Sequence, residues 1–258
     1  MRLAVLALVA CALSASAAEP PGLPNGIKLE DPPADPKAAK VVLIAGSNYF
    51  KPGEHEYVGG VAVLHDLLKQ SPGVAPVVAI DWPTKPETLA GAKAVVFLFD
   101  GGEKHGILKG DRLAAIAKLV DGGAGLVQLH QTADYPKDFG DRARGLVGGA
   151  WEPKHSQRAH WVTEFKDFSD HPIFRGVTPF KIDDGYLWKI KFVPGMKGVS
   201  PLLRTVNPKG KDDPKADDAI ISWAYDRPEG GRGFVFTGGH LHKSFAEEGY
   251  RRFLTNAI

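Results

Sequence analysis

The sequence holds one cysteine in 258 residues, Cys11, and it lies inside the first apolar run. With that run removed as a leader, the rest of the chain has no thiol, which excludes disulfides, thiolate metal ligands and a cysteine nucleophile by count alone. An excess of charge of one sign is also missing. Lys and Arg number 32 against 30 Asp and Glu, for a formal net charge of +2. No block of like charge stands out, so the basic footprint of a nucleic-acid binder is absent, and a small ligand fits better. Long hydrophobic runs are scarce: Leu3 to Ala18 is short and Ala-rich for a membrane span, and no later run approaches the roughly 18 apolar residues that a crossing helix needs. There is no G-x-S-x-G, and no G-x-G-x-x-G follows the first strand pattern. A serine-hydrolase elbow and a nucleotide cofactor site of the Rossmann type therefore lack their carrying residues.

What is present begins with MRLAVLALVACALSASAAEP, one Arg before an apolar stretch that ends in small residues. That is the pattern of a signal peptide over residues 1–18, cleaved after Ala17 or Ala18, and it predicts a periplasmic or secreted protein. The string LVAC offers a second reading, a lipoprotein anchored at Cys11. Residues 19–40 are dense in proline and predict an extended lead-in with little structure. Residues 41–258 have the composition of one globular domain, 43% hydrophobic and 24% charged across the chain. Short apolar, β-branched runs at VVLIAG (41–46), PVVAID (76–81), AVVFLFD (94–100) and GLVQLH (125–130) read as strands buried on both faces. Helical spacing at Val61, Leu64, Leu67 and Leu68, and again over 111–121, alternates with them. The expected fold is therefore α/β, a single doubly wound, mainly parallel sheet with helices on both faces. The middle, from Thr132 to about Met196, reads as an elaboration on the sheet. Two further strands lie in DAIISWAYD and GRGFVFTGGH, and EEGYRRFLTNAI reads as a final helix.

In such a sheet ligands bind beyond the carboxyl ends of the strands. Five of the nine histidines, His55, His105, His130, His240 and His242, fall in those positions, whereas His65 reads as a helix residue and His171 as a turn. His130 directly ends a strand, where an idle buried imidazole is costly. His240 and His242 sit two apart; on an extended segment their rings share a face, so both could ligate one metal or one could orient the other. Carboxylates beside histidines, Glu54 and Glu56 around His55, can fix a tautomer or act as a base. Asp100, followed by Gly101 and Gly102, marks a place where the backbone can approach a ligand closely. Asp183 and Asp184 near Tyr186 and Trp188 suit a sugar.

Taken in order, GEHEY (53–57), DWP (81–83), the DGG and His of 100–105, Leu129-His130, VGGAWE (147–152), His160-Trp161, HPIFRGVTPFKIDD (171–184) and GRGFVFTGGHLH (231–242) resemble the ThuA-like, or trehalose utilisation, family. The resemblance implies a flavodoxin-type fold like that of class I glutamine amidotransferases, in which an elbow holds a Cys and a later strand ends in a His. His130 stands at that elbow and His240 or His242 near the later position, so amidotransferase chemistry is not implied. The resemblance implies instead a role in the use of disaccharides or 3-keto-glycosides. The expectation is an enzyme of hydrolase, lyase or isomerase type. His130, Asp100, His105 and His240 would do acid/base work, while His55, Glu56, Trp82, His160, Asp184 and Trp188 contact a small carbohydrate. A divalent ion, zinc or another first-row metal, would sit on His130, His240 and His242. The alternative is a non-catalytic sugar-binding or accessory protein that stacks sugars on Trp82, Trp151, Trp161, Tyr186 and Trp188. Two departures from the family pattern stand out: Asp184-Gly185 where Asp-Glu is common, and KHSQRA before His160, where His155 is a candidate substitute for the lost carboxylate. The family's usual continuation beyond the last helix is also absent, which reads as a chain clipped at Ile258.

Overall fold

The structure, a computed structural model, describes residues 23–47 and 50–258. The leader, Cys11 and the first residues of the lead-in lie outside the described residues. Strands β1 (Ala39–Ala45), β2 (Val74–Ile80), β3 (Ala94–Leu98) and β4 (Gly125–Leu129) alternate with helices α1 (Tyr57–Lys69), α2 (Pro86–Leu89) and α3 (Arg112–Asp121). After α4 (Gly140–Val147) come β5 (Gly149–Ala150), β6 (Gln157–Phe165), β7 (Phe180–Trp188), β8 (Lys191–Phe192), β9 (Val199–Arg204), β10 (Ile220–Asp226) and β11 (Arg232–Phe236). Helix α5 (Glu248–Ala257) closes the chain.

Seven strands form one sheet in the order β2-β1-β3-β4-β11-β10-β9. β2, β1, β3, β4 and β11 run parallel, and β10 and β9 add an antiparallel edge. The 2-1-3-4 order is that of flavodoxin-like folds, as expected. The apolar runs face both ways. Val41, Leu43 and Ala45 of β1 pack with Val61, Leu64 and Leu68 of α1 and Phe253 and Leu254 of α5. Val42 and Ile44 face the opposite layer, with Ile116 of α3 and Ala143 and Val147 of α4. Burial on both faces is why these strands lack the alternation of a half-exposed sheet.

The middle of the chain supplies the hairpin β6–β7, paired antiparallel from Gln157 opposite Trp188 to Phe165 opposite Phe180. Trp161, Phe165, Phe180, Ile182, Tyr186 and Trp188 bury its inner face against the α1 side of the core.

The lead-in departs from its expected lack of structure. Leu29 bridges to Val78, and the Glu30 carboxylate accepts hydrogen bonds from the backbone N–H groups of Thr84 and Lys85 and the hydroxyls of Thr84 and Thr88. Burial raises the pKa of Glu30, but these donors outweigh it and bring the group down to about 2. The segment is thus tied to the turn before α2. Among the described residues no helix is long and apolar enough to cross a membrane.

Candidate functional site

At the carboxyl end of β4, His130 takes φ +54° before a 3-10 turn over His130–Ala133. A β-extended Leu129 followed by a left-handed residue makes a sharp elbow that turns the side chain out over the sheet. The Thr132 hydroxyl braces it by donating to the Leu129 carbonyl at 2.9 Å. His55 also has a positive φ, +54°. Its loop is laced to the segment after β11: His55 N–H donates to the His240 carbonyl at 3.0 Å and His242 N–H to the Gly53 carbonyl at 2.9 Å. That second segment is held from below by Asp184, fully buried on β7. Asp184 accepts from the N–H groups of Gly185, Gly239 and Leu241 and from the Ser244 hydroxyl, at 2.8 to 3.1 Å. Burial raises the pKa of Asp184 and these bonds oppose the rise.

These supports bring three imidazoles together. His55 Nε2 lies 3.0 Å from His130 Nε2 and 2.7 Å from His240 Nδ1, and the last two nitrogens are 3.3 Å apart. The other nitrogen of each ring faces oxygen. His130 Nδ1 donates to the Thr237 carbonyl at 3.0 Å, His240 Nε2 stands 3.4 Å from Glu54 Oε2, and His55 Nδ1 is 3.9 Å from Asp100 Oδ1. A carbonyl can only accept, so the inner nitrogen of neutral His130 carries a lone pair. The Glu54 and Asp100 carboxylates stand on the outer sides of His240 and His55 at ion-pair distance, and their charge favours the tautomers whose inner nitrogens carry lone pairs too. Burial lowers all three pKa values: His130 well below the usual range, helped by His55; His240 to about 4, again with His55 adding; and His55 less, because Asp100 and Glu54 push back. Three neutral lone pairs at these distances repel unless a cation lies among them. Nitrogens ligating one ion tetrahedrally at about 2.0–2.1 Å are separated by roughly 3.3 Å. The outer oxygens match the usual second partners of metal-bound histidines. The trio therefore fits a first-row divalent ion.

A cavity of about 190 Å³ opens on this trio, and Phe50, Gln131, Arg158, His160, Gly185 and Leu187 also line it. His160 is exposed, with its ring centroid 4.3 Å from that of His240. The lack of a side chain at Gly185 explains that placement, since a Cβ there would fall 2.8 Å from the His160 ring and 2.9 Å from His240 Cβ. His160, and not the exposed His155, fills the space beside this departure from the family pattern.

Several expected roles move. His242 lies outside the trio, its Nδ1 3.9 Å from Glu56 and its ring over Gly59, so His55 takes the third position expected of it. Glu56 accepts from Gly53 N–H at 2.7 Å and shapes the loop. His105 is fully buried, donating from Nε2 to the Thr132 carbonyl and stacked on Tyr135 at 4.2 Å; it underpins the elbow without reaching the cavity. Gly101 serves close approach to that elbow, where a Cβ would lie 2.0 Å from the Gln131 carbonyl, and not to a ligand. Asp100 accepts the Tyr57 hydroxyl at 2.8 Å and faces the outer side of His55. Trp188 is buried and donates to Asp212, and Trp82 lies under Arg112 away from the cavity. Sequence reasoning did not single out Phe50, Gln131 or Arg158: Phe50 lies in the loop past the first strand pattern and Gln131 beside His130, but neither is charged, and Arg158 enters only as part of the KHSQRA departure.

Comparison with known proteins gives a consistent result. Among solved structures, the fold is similar to a ThuA-like protein from Bacteroides uniformis, with 16% identity over 88% of this chain and 92% of that one and a TM-score of 0.61. It is similar to a second ThuA-like protein, from Parabacteroides merdae, with 14% identity over 86% and 88% and a TM-score of 0.55. A cytoplasmic protein from Salmonella typhimurium shares 12% identity over 84% and 96% at a TM-score of 0.54. At such identities the likeness is one of fold. Comparison with curated proteins yields no match. The sequence profile of the ThuA family, described as trehalose utilisation, matches residues 40–258, and the chain belongs to that family.

Proposed function

We propose that this chain is an exported, carbohydrate-active enzyme whose centre is a divalent ion held by His55, His130 and His240. The observation that carries the reading is the convergence of three inner ring nitrogens, each on an imidazole whose outer nitrogen faces a carbonyl or carboxylate. Family membership supports a role in carbohydrate utilisation. The leader-like first 18 residues support export. A bound ion would polarise a sugar carbonyl, such as that of a 3-keto-glycoside, and make the proton on the adjacent carbon easier to remove.

The chain's own groups do the rest. His160 is the imidazole at the cavity that is not part of the trio, and it is placed to move a proton to or from the ligand. Gln131 offers amide hydrogen bonds, and Phe50, 72% exposed at the rim, offers a ring face. Of the aromatics in the sugar-stacking alternative, Trp151, Trp161 and Trp188 are buried and absent from the cavity lining, Trp82 lies elsewhere, and Tyr186, itself buried, lines the cavity.

The test is metal analysis of purified protein, followed by a screen of glycosides and 3-keto-glycosides with and without chelator. Loss of an outer partner of a metal-bound histidine typically weakens binding by about 10–100-fold, so His130→Ala and His240→Ala should weaken it by more and abolish turnover while the fold survives. Wild-type turnover in both variants, or turnover indifferent to chelator, would show that the trio is not the centre.

A further inference from the structure

The cavity over the trio has an uneven chemistry. Its polar lining is His55, His130, His240, His160, Gln131, Arg158 and the buried Tyr186, with no carboxylate among the described residues. Sites for neutral sugars must supply acceptors for several hydroxyl protons, and carboxylates do this well. Here the formal charge at the lining is the guanidinium.

Arg158, on β6, is not a loose surface side chain although it is half exposed. Its guanidinium lies 4.3 Å above the Trp151 ring, and one nitrogen donates to Asp134 Oδ2 at 3.2 Å. Trp151 is itself fixed, its indole N–H donating to the Gln157 carbonyl at 2.9 Å. Asp134 ends the 3-10 turn that His130 begins, and its carbonyl accepts from Gly102 N–H at 2.8 Å. The guanidinium is thus held over an aromatic face and anchored at one corner to the elbow that carries His130. Stacking and anchoring reduce the entropy lost when the remaining N–H groups bind a ligand.

We propose that the carbohydrate bound at this cavity carries a carboxylate, as a uronic or aldonic acid residue does, and that Arg158 binds it. This rests on the reading of the cavity as a carbohydrate site. A planar fork suits a carboxylate, which it can meet with two parallel hydrogen bonds. Asp134 offsets part of the positive charge, which matches a monoanion better than a phosphate dianion. The volume of about 190 Å³ lies below that of cavities for drug-sized ligands and is scaled to one sugar ring. The ligand then spans from Arg158 to the trio, with its acidic group at one end and its reacting carbon at the other.

The experiment is calorimetric titration of the full protein, loaded with zinc, with methyl glucuronide, methyl glucoside and glucose 6-phosphate. Wild type should bind the glucuronide about 10–100-fold more tightly than the glucoside, the advantage of a charge-assisted, two-pronged contact. In Arg158→Gln that ratio should fall to within about threefold, and Arg158→Lys, which keeps the charge without the fork, should lie between. The wild-type ratio tests the carboxylate preference even if a variant fails to fold, and the fall of that ratio in Arg158→Gln separates the guanidinium from the zinc as its source; an unchanged ratio in that variant overturns the role of Arg158. Equal binding of glucuronide and glucoside overturns the carboxylate proposal and leaves the carbohydrate reading standing. Tighter binding of the phosphate overturns the choice of carboxylate. No binding of any of the three overturns both readings together.

Discussion

His130 occupies a backbone conformation that costs a non-glycine residue on the order of 1–3 kcal/mol, and such outliers concentrate at functional sites. His55 shares it, so two of the three converging imidazoles are presented by left-handed residues. The strand ending in GLVQLH made His130 legible, because a polar ring at the top of a buried strand needs a purpose. His55 could be placed beyond a strand but not aimed. Gly185 shows the opposite case, a residue whose meaning is invisible without its neighbours: its missing side chain is the room occupied by the His160 ring and the Cβ of His240. Gly185→Ala should therefore displace both, destabilise the protein by about 1–3 kcal/mol, and weaken metal binding more than distant glycine substitutions do. Denaturant unfolding together with metal titration checks this, and unchanged values for both would mean that the crowding at Gly185 is relieved without consequence.

The hairpin β6–β7 is the element that turns a plain doubly wound sheet into a site. It delivers Arg158 and His160 to the cavity from one strand, and from the other it sets Asp184 beneath the segment that carries His240. The sequence points to Asp184 as a sugar ligand because paired acids near aromatics suit that purpose, yet it is an internal brace. Its two oxygens take four donors from Gly185, Gly239, Leu241 and Ser244. Asp184→Asn replaces one acceptor by a donor and leaves one or two of the backbone N–H groups unpaired in a buried place, at roughly 1–3 kcal/mol each before relaxation. The melting temperature should fall by roughly 5–10 °C, and affinity for the ion should drop because the segment carrying His240 loosens. A variant that melts and binds metal like wild type would contradict the bracing role. The short α4 shows why the middle of the chain was hard to read. It spans Gly140–Val147, ends at Gly148 in a left-handed cap (φ +82°), and is too brief to establish a helical period.

The whole molecule couples its stability to pH through buried neutral imidazoles, and His105 isolates the effect because it touches none of the trio. Burial lowers its pKa to about 4, against about 6.5 in an unfolded chain. Above pH 6.5 neither state binds the proton and stability is unaffected. As the pH falls below 6.5, the unfolded chain gains a proton that the folded one refuses until about pH 4, so stability drops by about 1.4 kcal/mol per unit. Urea unfolding at pH 7.5 and pH 5 should show His105→Gln losing about 2 kcal/mol less than wild type between the two conditions; equal losses would mean the ring is not held neutral. Periodicity of apolar residues along the chain determined the parallel strands, the helices between them and therefore the end of the sheet where the site lies, because these patterns are local and each segment reports its own burial. Only the tertiary structure decided which histidines meet. His55, His130 and His240 are 75 and 110 residues apart along the chain, and their meeting depends on loop pairing, on a strained elbow and on a buried carboxylate on a hairpin. By the same physics His242, two residues from His240, turns away from the trio: a 3-10 turn begins at His242, so the two rings do not share the face that an extended segment would have offered them.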